Sequence, residues 1–150
     1  MPSSEPAARA LAEAVTSLML AGDAASRAMG MALVEVDRDH AIIRMPVRDD
    51  MVNGLAVCHG GFVFSLADTV CAVVSNSRNQ KAVLQSATVT LTAPVHAGDL
   101  LTATGFRSAG EGRVGIIDVR VANQNGETVA LFRGNTYDVK GTHVPESEIK

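Results

Sequence analysis

Asp68 lies in the most apolar segment of the chain, residues 59–76, between Leu66, Ala67, Thr69 and Val70. An ionised carboxylate kept from water costs several kcal/mol unless it is paired or hydrogen-bonded, so its place there points to use of the charge as a base or nucleophile. Eight residues earlier, His59, Gly60 and Gly61 open the same segment. At the start of a helix, the amide of Gly60 or Gly61 is an unpaired donor at the positive end of the macrodipole with no side chain in front of it, suited to an oxyanion or a polarised carbonyl. Asn53 and His59 bracket the loop that leads in, where they could hold a water or a carbonyl, His59 as a positioner rather than a base. Ser86 follows Asp68 by eighteen residues at the start of a strand and could hydrogen-bond the carboxylate or an incoming water. Each has a plainer reading: glycines for a tight turn, a carboxylate satisfied by loop amides or a threonine, a structural histidine, a strand serine.

Eight helical residues at about 1.5 Å each separate Asp68 from Gly60 by roughly 12 Å. One subunit does not bring both to one reacting atom. Two copies with these helices antiparallel about a two-fold axis would set the N-terminus of one against the middle of the other, giving two equivalent sites at a dimer interface.

The elements that must do this are readable. A helix is expected from Glu5 to Ala21, capped by Ser4, with Leu11, Val15, Leu18 and Met19 as its apolar stripe and Gly22 as its stop. Asp23 caps a short turn through Met29, and residues 32–37 and 41–47 read as a hairpin. Residues 48–58 form a loop, and 59–76 read as a helix hydrophobic nearly all round. Strands follow at 82–93, 99–107, 113–122 and 127–139, separated by Pro94 and Gly98, by Gly110 and Gly112, and by Asn125-Gly126, and short turns imply antiparallel neighbours. In the third, Ile117, Val119 and Val121 alternate with Asp118, Arg120 and Ala122, and Thr88, Thr90 and Thr92 line one face of the first. The expected fold is α+β: a curved antiparallel sheet of five or six strands wrapped around the long helix, the shape of a hotdog fold. One domain spans 1–150, with an N-terminal helical segment to residue 30 and a loose tail from 140.

With 150 residues, 47% hydrophobic and 19% charged, the chain has room for a real core. A net charge of −3 without a basic run excludes a nucleic-acid partner. No apolar stretch reads as a signal or membrane anchor, and Cys58 and Cys71 are too few for a disulfide framework, so a cytoplasmic home is expected. Neither His40, His96 nor His143 shows metal-ligand spacing, so no metal or cofactor is expected. Cys58 next to His59 suggests a thiol nucleophile, but adjacent residues at a helix entry do not point toward one another.

Taken together, Asn53-Gly54, Cys58-His59-Gly60-Gly61 and Phe64-Ser65-Leu66-Ala67-Asp68-Thr69 resemble the hotdog acyl-CoA thioesterases of the PaaI type, associated with phenylacetic acid catabolism. Leu100, Thr102, Ala103 and residues 130–134 extend the resemblance over most of 30–140. It implies hydrolysis of an acyl-CoA thioester, with CoA as part of the substrate. Asp68 would be the nucleophile or general base, and the Gly60 amide would polarise the carbonyl. Asn53 and His59 would come from the subunit opposite Asp68, and Ser86 would lie near the family's Ser or Thr position. It further implies a homodimer that forms the site and pairs into a homotetramer, a small aryl- or hydroxyaryl-acyl group, and no membrane partner. A hotdog hydratase or dehydratase with His59 as acid/base, and a non-catalytic acyl-CoA sensor, are the rival readings.

Overall fold

Alternating apolar and polar residues build six strands, and the one long apolar run builds the helix they enclose. The computed structural model describes residues 5–149; Ser4, expected as a cap, lies outside them. Helices α1 (Pro6–Ala21) and α2 (Ala24–Ala28) precede strands β1 (Ala32–Asp37) and β2 (His40–Pro46). Helix α3 (Gly60–Asn76) then leads to β3 (Ala82–Leu91), β4 (Leu100–Glu111), β5 (Val114–Ala122) and β6 (Thr128–Asp138). In α1 the buried residues are Ala12, Val15 and Thr16, while Leu18, expected in the stripe, is 56% exposed. Asp23 caps α2 as expected, its carboxylate accepting from the Ser26 amide at 3.0 Å.

The sheet is antiparallel throughout, in the order β1-β2-β4-β5-β6-β3. The expectation that β3 and β4 are neighbours is therefore corrected: β3 pairs with β6, from Ala82↔Asp138 to Leu91↔Ala130. The physical reason is the helix. Its 17 residues carry the chain about 25 Å across the concave face, from β2 to the far edge of the sheet. Residues 92–99 bring the chain back: the Thr92 amide bonds the carbonyl of Val129, Cys58 that of Val95, and Val47 that of Asp99. β3 and β1 are left as the two edges.

The core lies between α3 and the sheet. Val63, Leu66, Ala67, Val70, Cys71, Val73 and Val74 are buried against Ile43, Met45, Leu101, Ala103, Ile117, Val119 and Phe132. Each of the larger side chains contributes about 1.5–3 kcal/mol through its burial. Two strand glycines let the helix sit this close. A Cβ at Gly105 would stand 2.5 Å from Cγ1 of Val70, and one at Gly134 would stand 2.7 Å from Sγ of Cys71.

The C-terminal segment is not a loose tail as far as residue 144. Buried Asn79, at φ 66°, accepts from the His143 and Val144 amides at 3.0 and 2.9 Å and donates to the Val144 carbonyl at 2.8 Å. His143 Nε2 lies 2.7 Å from Oδ1 of Asn76, and Val144 is buried. Among the described residues no helix is long and apolar enough to cross a membrane.

Candidate active site

The sequence places Asp68 on the side of α3 turned away from the sheet. Val63, Leu66, Ala67, Val70 and Val74 take the inner positions, which leaves Gly61, Ser65, Asp68, Thr69 and Ala72 on a partly open stripe. Ser65 and Thr69 spend their hydroxyls on the helix itself, donating to the carbonyls of Gly61 and Ser65 at 2.8 Å each. Among the described residues Asp68 has no hydrogen bond or ion pair. A carboxylate satisfied by loop amides or a threonine is thus not what the chain contains. Burial pushes the Asp68 carboxyl above the ordinary carboxylate range, and the negative charge of Asp23 pushes in the same direction.

Around Asp68 is a hollow of about 180 Å³ lined by Asp23, Ala25, Ser26, Met29, Met31, Ser65 and Thr69. The wall opposite the helix is the α2 turn. Ser26 donates its hydroxyl to Asp23 Oδ2 at 2.6 Å and lies 3.4 Å from the Thr69 hydroxyl, which ties α2 to α3. The sequence reading has Asp23 and Met29 only as a local turn and does not bring Ala25, Ser26 or Met31 to the site. The capping pattern marks Asp23 and Ser26 as a local turn, but nothing in it signals a contact with a helix more than forty residues away.

At the N-terminus of α3, His59 occupies the N-cap position with no side-chain cap bond, and its side chain is exposed. The amides of Gly60 and Gly61 have no hydrogen-bond partner among the described residues, as expected of the first turn of a helix. Space in front of Gly61 is open, whereas a Cβ at Gly60 would meet Cδ1 of Leu91 at 2.6 Å. The loop before them is held closed by a bridge between Val52 and Cys58, flanked by Asn53 N–H to Val57 and His59 N–H to Met51, both 2.8 Å. Asn53 folds that loop, its Oδ1 accepting from the amides of Leu55 and Val57 at 2.9 and 3.2 Å. Its side-chain amide nitrogen makes no hydrogen bond among the described residues.

The chain therefore gathers Asn53, His59, Gly60 and Gly61 at one end of α3 and sets Asp68 near its middle. Among the described residues Ser86 hydrogen-bonds to neither group. It is exposed on β3, beside the irregularity at residues 84–86, and accepts from Asn135 Nδ2 at 2.7 Å. Cys58 is buried, with its thiol raised by burial and by the charge of Asp99 and its Sγ directed to the His59 carbonyl, which removes the thiolate a nucleophile needs. Cys71, pushed up to about 12 by burial, is equally unreactive.

A curved sheet around a long helix, with a carboxylate at mid-helix and free amides at its start, defines a hotdog protein with a candidate hydrolytic site. The Thioesterase superfamily matches residues 55–130, which hold the start of α3, Asp68 and Ser86. The acyl-coenzyme A thioesterase PaaI of Escherichia coli K12 is 40% identical over 130 residues, 86% of this chain and 92% of that protein. The structure of E. coli PaaI, from the phenylacetic acid degradation operon, superposes with a TM-score of 0.88 at 37% identity, covering 89% of this chain and 97% of that one. A Streptococcus mutans protein solved bound to acetyl CoA matches with a TM-score of 0.72 at 25% identity, covering 76% of this chain and 91% of its own. The chain belongs to the thioesterase superfamily, among the PaaI-type hotdog thioesterases, as its motif implied.

Proposed function

We propose that this thioesterase hydrolyses a small aryl- or hydroxyaryl-acyl-CoA to the free acid and CoA, at a site made jointly by two copies of the chain. The observation that carries the reading is the state of the two halves of the site. Among the described residues Asp68 is a half-buried carboxylate without a hydrogen-bond or ion-pair partner, and Gly60 and Gly61 present amides without acceptors on the same helix. An oxyanion-hole donor of this kind is worth about 2.7–4 kcal/mol in the transition state.

Two features of the fold support the assembly. The stripe holding Gly61, Ser65, Asp68 and Ala72 carries small side chains around a single charge, so a second α3 can approach it closely. β3 is an edge strand whose outer backbone groups are available to a copy of itself. Antiparallel helices then set the Gly60 amide, Asn53 and His59 of one subunit toward Asp68 of the other. Pairing of such dimers into a tetramer would cover the outer, threonine-bearing face of the sheet.

In the reaction, the Gly60 amide polarises the thioester carbonyl. Either a water attacks while Asp68 takes its proton, or Asp68 attacks and water then cleaves the resulting anhydride; in both, the carbon–sulfur bond breaks and the CoA thiolate leaves and is protonated. No cofactor is needed beyond the CoA of the substrate. Similarity to a protein of the phenylacetic acid degradation operon favours an aryl group. The hollow of about 180 Å³ at Asp68, lined by polar as well as apolar side chains, has the volume of one ring.

Asp68→Asn is expected to lower kcat for phenylacetyl-CoA at least about a hundredfold in a thiol-release assay. Its oligomer, followed by sedimentation, is expected to be intact. Unchanged turnover would remove Asp68 from the mechanism, and failure of any acyl-CoA to release thiol from the native protein would overturn the activity.

A further inference from the structure

The hollow at Asp68 has a neighbour. A second one, of about 170 Å³, is lined by Leu20, Ser26, Arg27, Met31, Leu33 and Ile43. The two share Ser26 and Met31 and nothing else, so these residues are the partition between them. Beyond it the lining is mainly aliphatic: Leu33 and Ile43 are register partners across β1 and β2, and Leu20 closes the space from α1.

The backbone of the partition is fixed by hydrogen bonds, and its main side chain, Met31, packs against the edge of the core. α2 ends with Gly30 at φ 73°, the left-handed position that glycine fills without strain. The Met31 amide bonds the Ser26 carbonyl at 3.0 Å and the Gly30 amide bonds that of Arg27 at 3.1 Å, the paired bonds of a Schellman turn. This turn sets Met31 directly over Ser26. Ser26 is held in turn by Asp23 and lies against Thr69. Met31 is only partly buried, and its unbranched thioether is the most adaptable of apolar side chains.

We propose that Met31 sets the size of acyl group this enzyme accepts, by closing the Asp68 hollow against the aliphatic one behind it. The inference rests on the reading of Asp68 as the catalytic centre. With Met31 in place the acyl space is that of a single small group; with it removed, the two hollows join into a channel running from Asp68 to Leu20 and Ile43, shaped for a linear chain.

The test is kcat/KM for thiol release from phenylacetyl-, butyryl-, hexanoyl- and octanoyl-CoA by the native protein, Met31→Ala and Met31→Ala/Leu20→Trp. Each extra methylene accommodated in an apolar pocket is worth about tenfold or more, so the octanoyl-to-phenylacetyl ratio is expected to rise at least about tenfold in Met31→Ala. It is expected to fall back when Trp fills the far hollow, which a mere loosening of the fold would not produce. Calorimetric binding of octanoyl-CoA to Asp68→Asn and to Asp68→Asn/Met31→Ala reads the same effect without turnover, with tighter binding expected in the second. An unchanged ratio alongside normal hydrolysis would overturn the role of Met31 and leave the activity standing. Tighter octanoyl-CoA binding with no hydrolysis by any form would sustain the channel and overturn the hydrolase. If neither the ratio changes nor binding tightens, the inference is overturned.

Discussion

Asp68 works, on this reading, because its surroundings withhold what a carboxylate normally collects. Among the described residues no guanidinium, ammonium or amide satisfies it, and the charge that acts on it is another carboxylate, Asp23. The base or nucleophile must be ionised, so the acid limb of kcat/KM is expected above the ordinary carboxylate range. The sign of the Asp23 effect is fixed: a negative neighbour opposes ionisation, so its removal eases it. Asp23→Asn is expected to move that limb to lower pH without returning it to the ordinary value, because burial is the larger cause and stays. A limb that does not move, or moves upward, would contradict this. Asp68 was legible in the sequence because its type is anomalous where it stands, a charge in an apolar run, and Gly60-Gly61 because a bare helix start has a chemistry of its own. Asp23 and Met31 were not legible. Both sit in a local turn whose sequence explains itself fully, and their meeting with α3 is a tertiary event.

The elements were read from the same local signals, with a similar limit. Strand-like runs bounded by turn residues, with period-2 alternation clearest at 117–122, located all six strands to within a few residues, and the unbroken apolar run located α3. Which strands pair was misread for β3, because adjacency in sequence says nothing of where a 17-residue helix delivers the chain. The tail was read as loose because His143 and Val144 carry no pattern, yet Asn79 holds both. The seating of α3 was equally hidden, since a glycine inside a strand signals a bulge as readily as a close approach. Gly105 is the sharper case: its missing Cβ is the room that Val70 and Val119 occupy, with Cγ1 at 2.5 Å and Cγ2 at 3.1 Å. Gly105→Ala overfills that contact and is expected to cost about 1–3 kcal/mol, read as a lowered urea midpoint with an unchanged slope. An unaltered midpoint would mean that α3 is not seated on the sheet in this way.

At the scale of the whole molecule, one chain holds both halves of the proposed site and does not join them. The free amides of Gly60 and Gly61 lie at the start of α3, and Asp68 stands two turns along it. That separation, about 12 Å along the axis, was readable from spacing alone, and the proposal of a second copy rests on it. How two such copies would meet was not readable, because an interface needs both surfaces in place. The assembly can be tested by breaking the two halves on different chains. Asp68→Asn removes the carboxylate. Gly60→Pro removes the amide: proline is well accepted at the first helical position, His59 already has the extended backbone (φ −56°, ψ 133°) that precedes proline, and Leu91→Ala clears the space the ring needs.

The direct measurement is thiol release from phenylacetyl-CoA by Asp68→Asn and Gly60→Pro/Leu91→Ala chains co-expressed in equal amounts. Each alone is expected to be nearly inactive. Half of randomly paired dimers hold one chain of each kind, and in those one of two sites is intact, so the mixture is expected to recover about a quarter of native activity. A mixture no more active than its parents would contradict a site built from two chains.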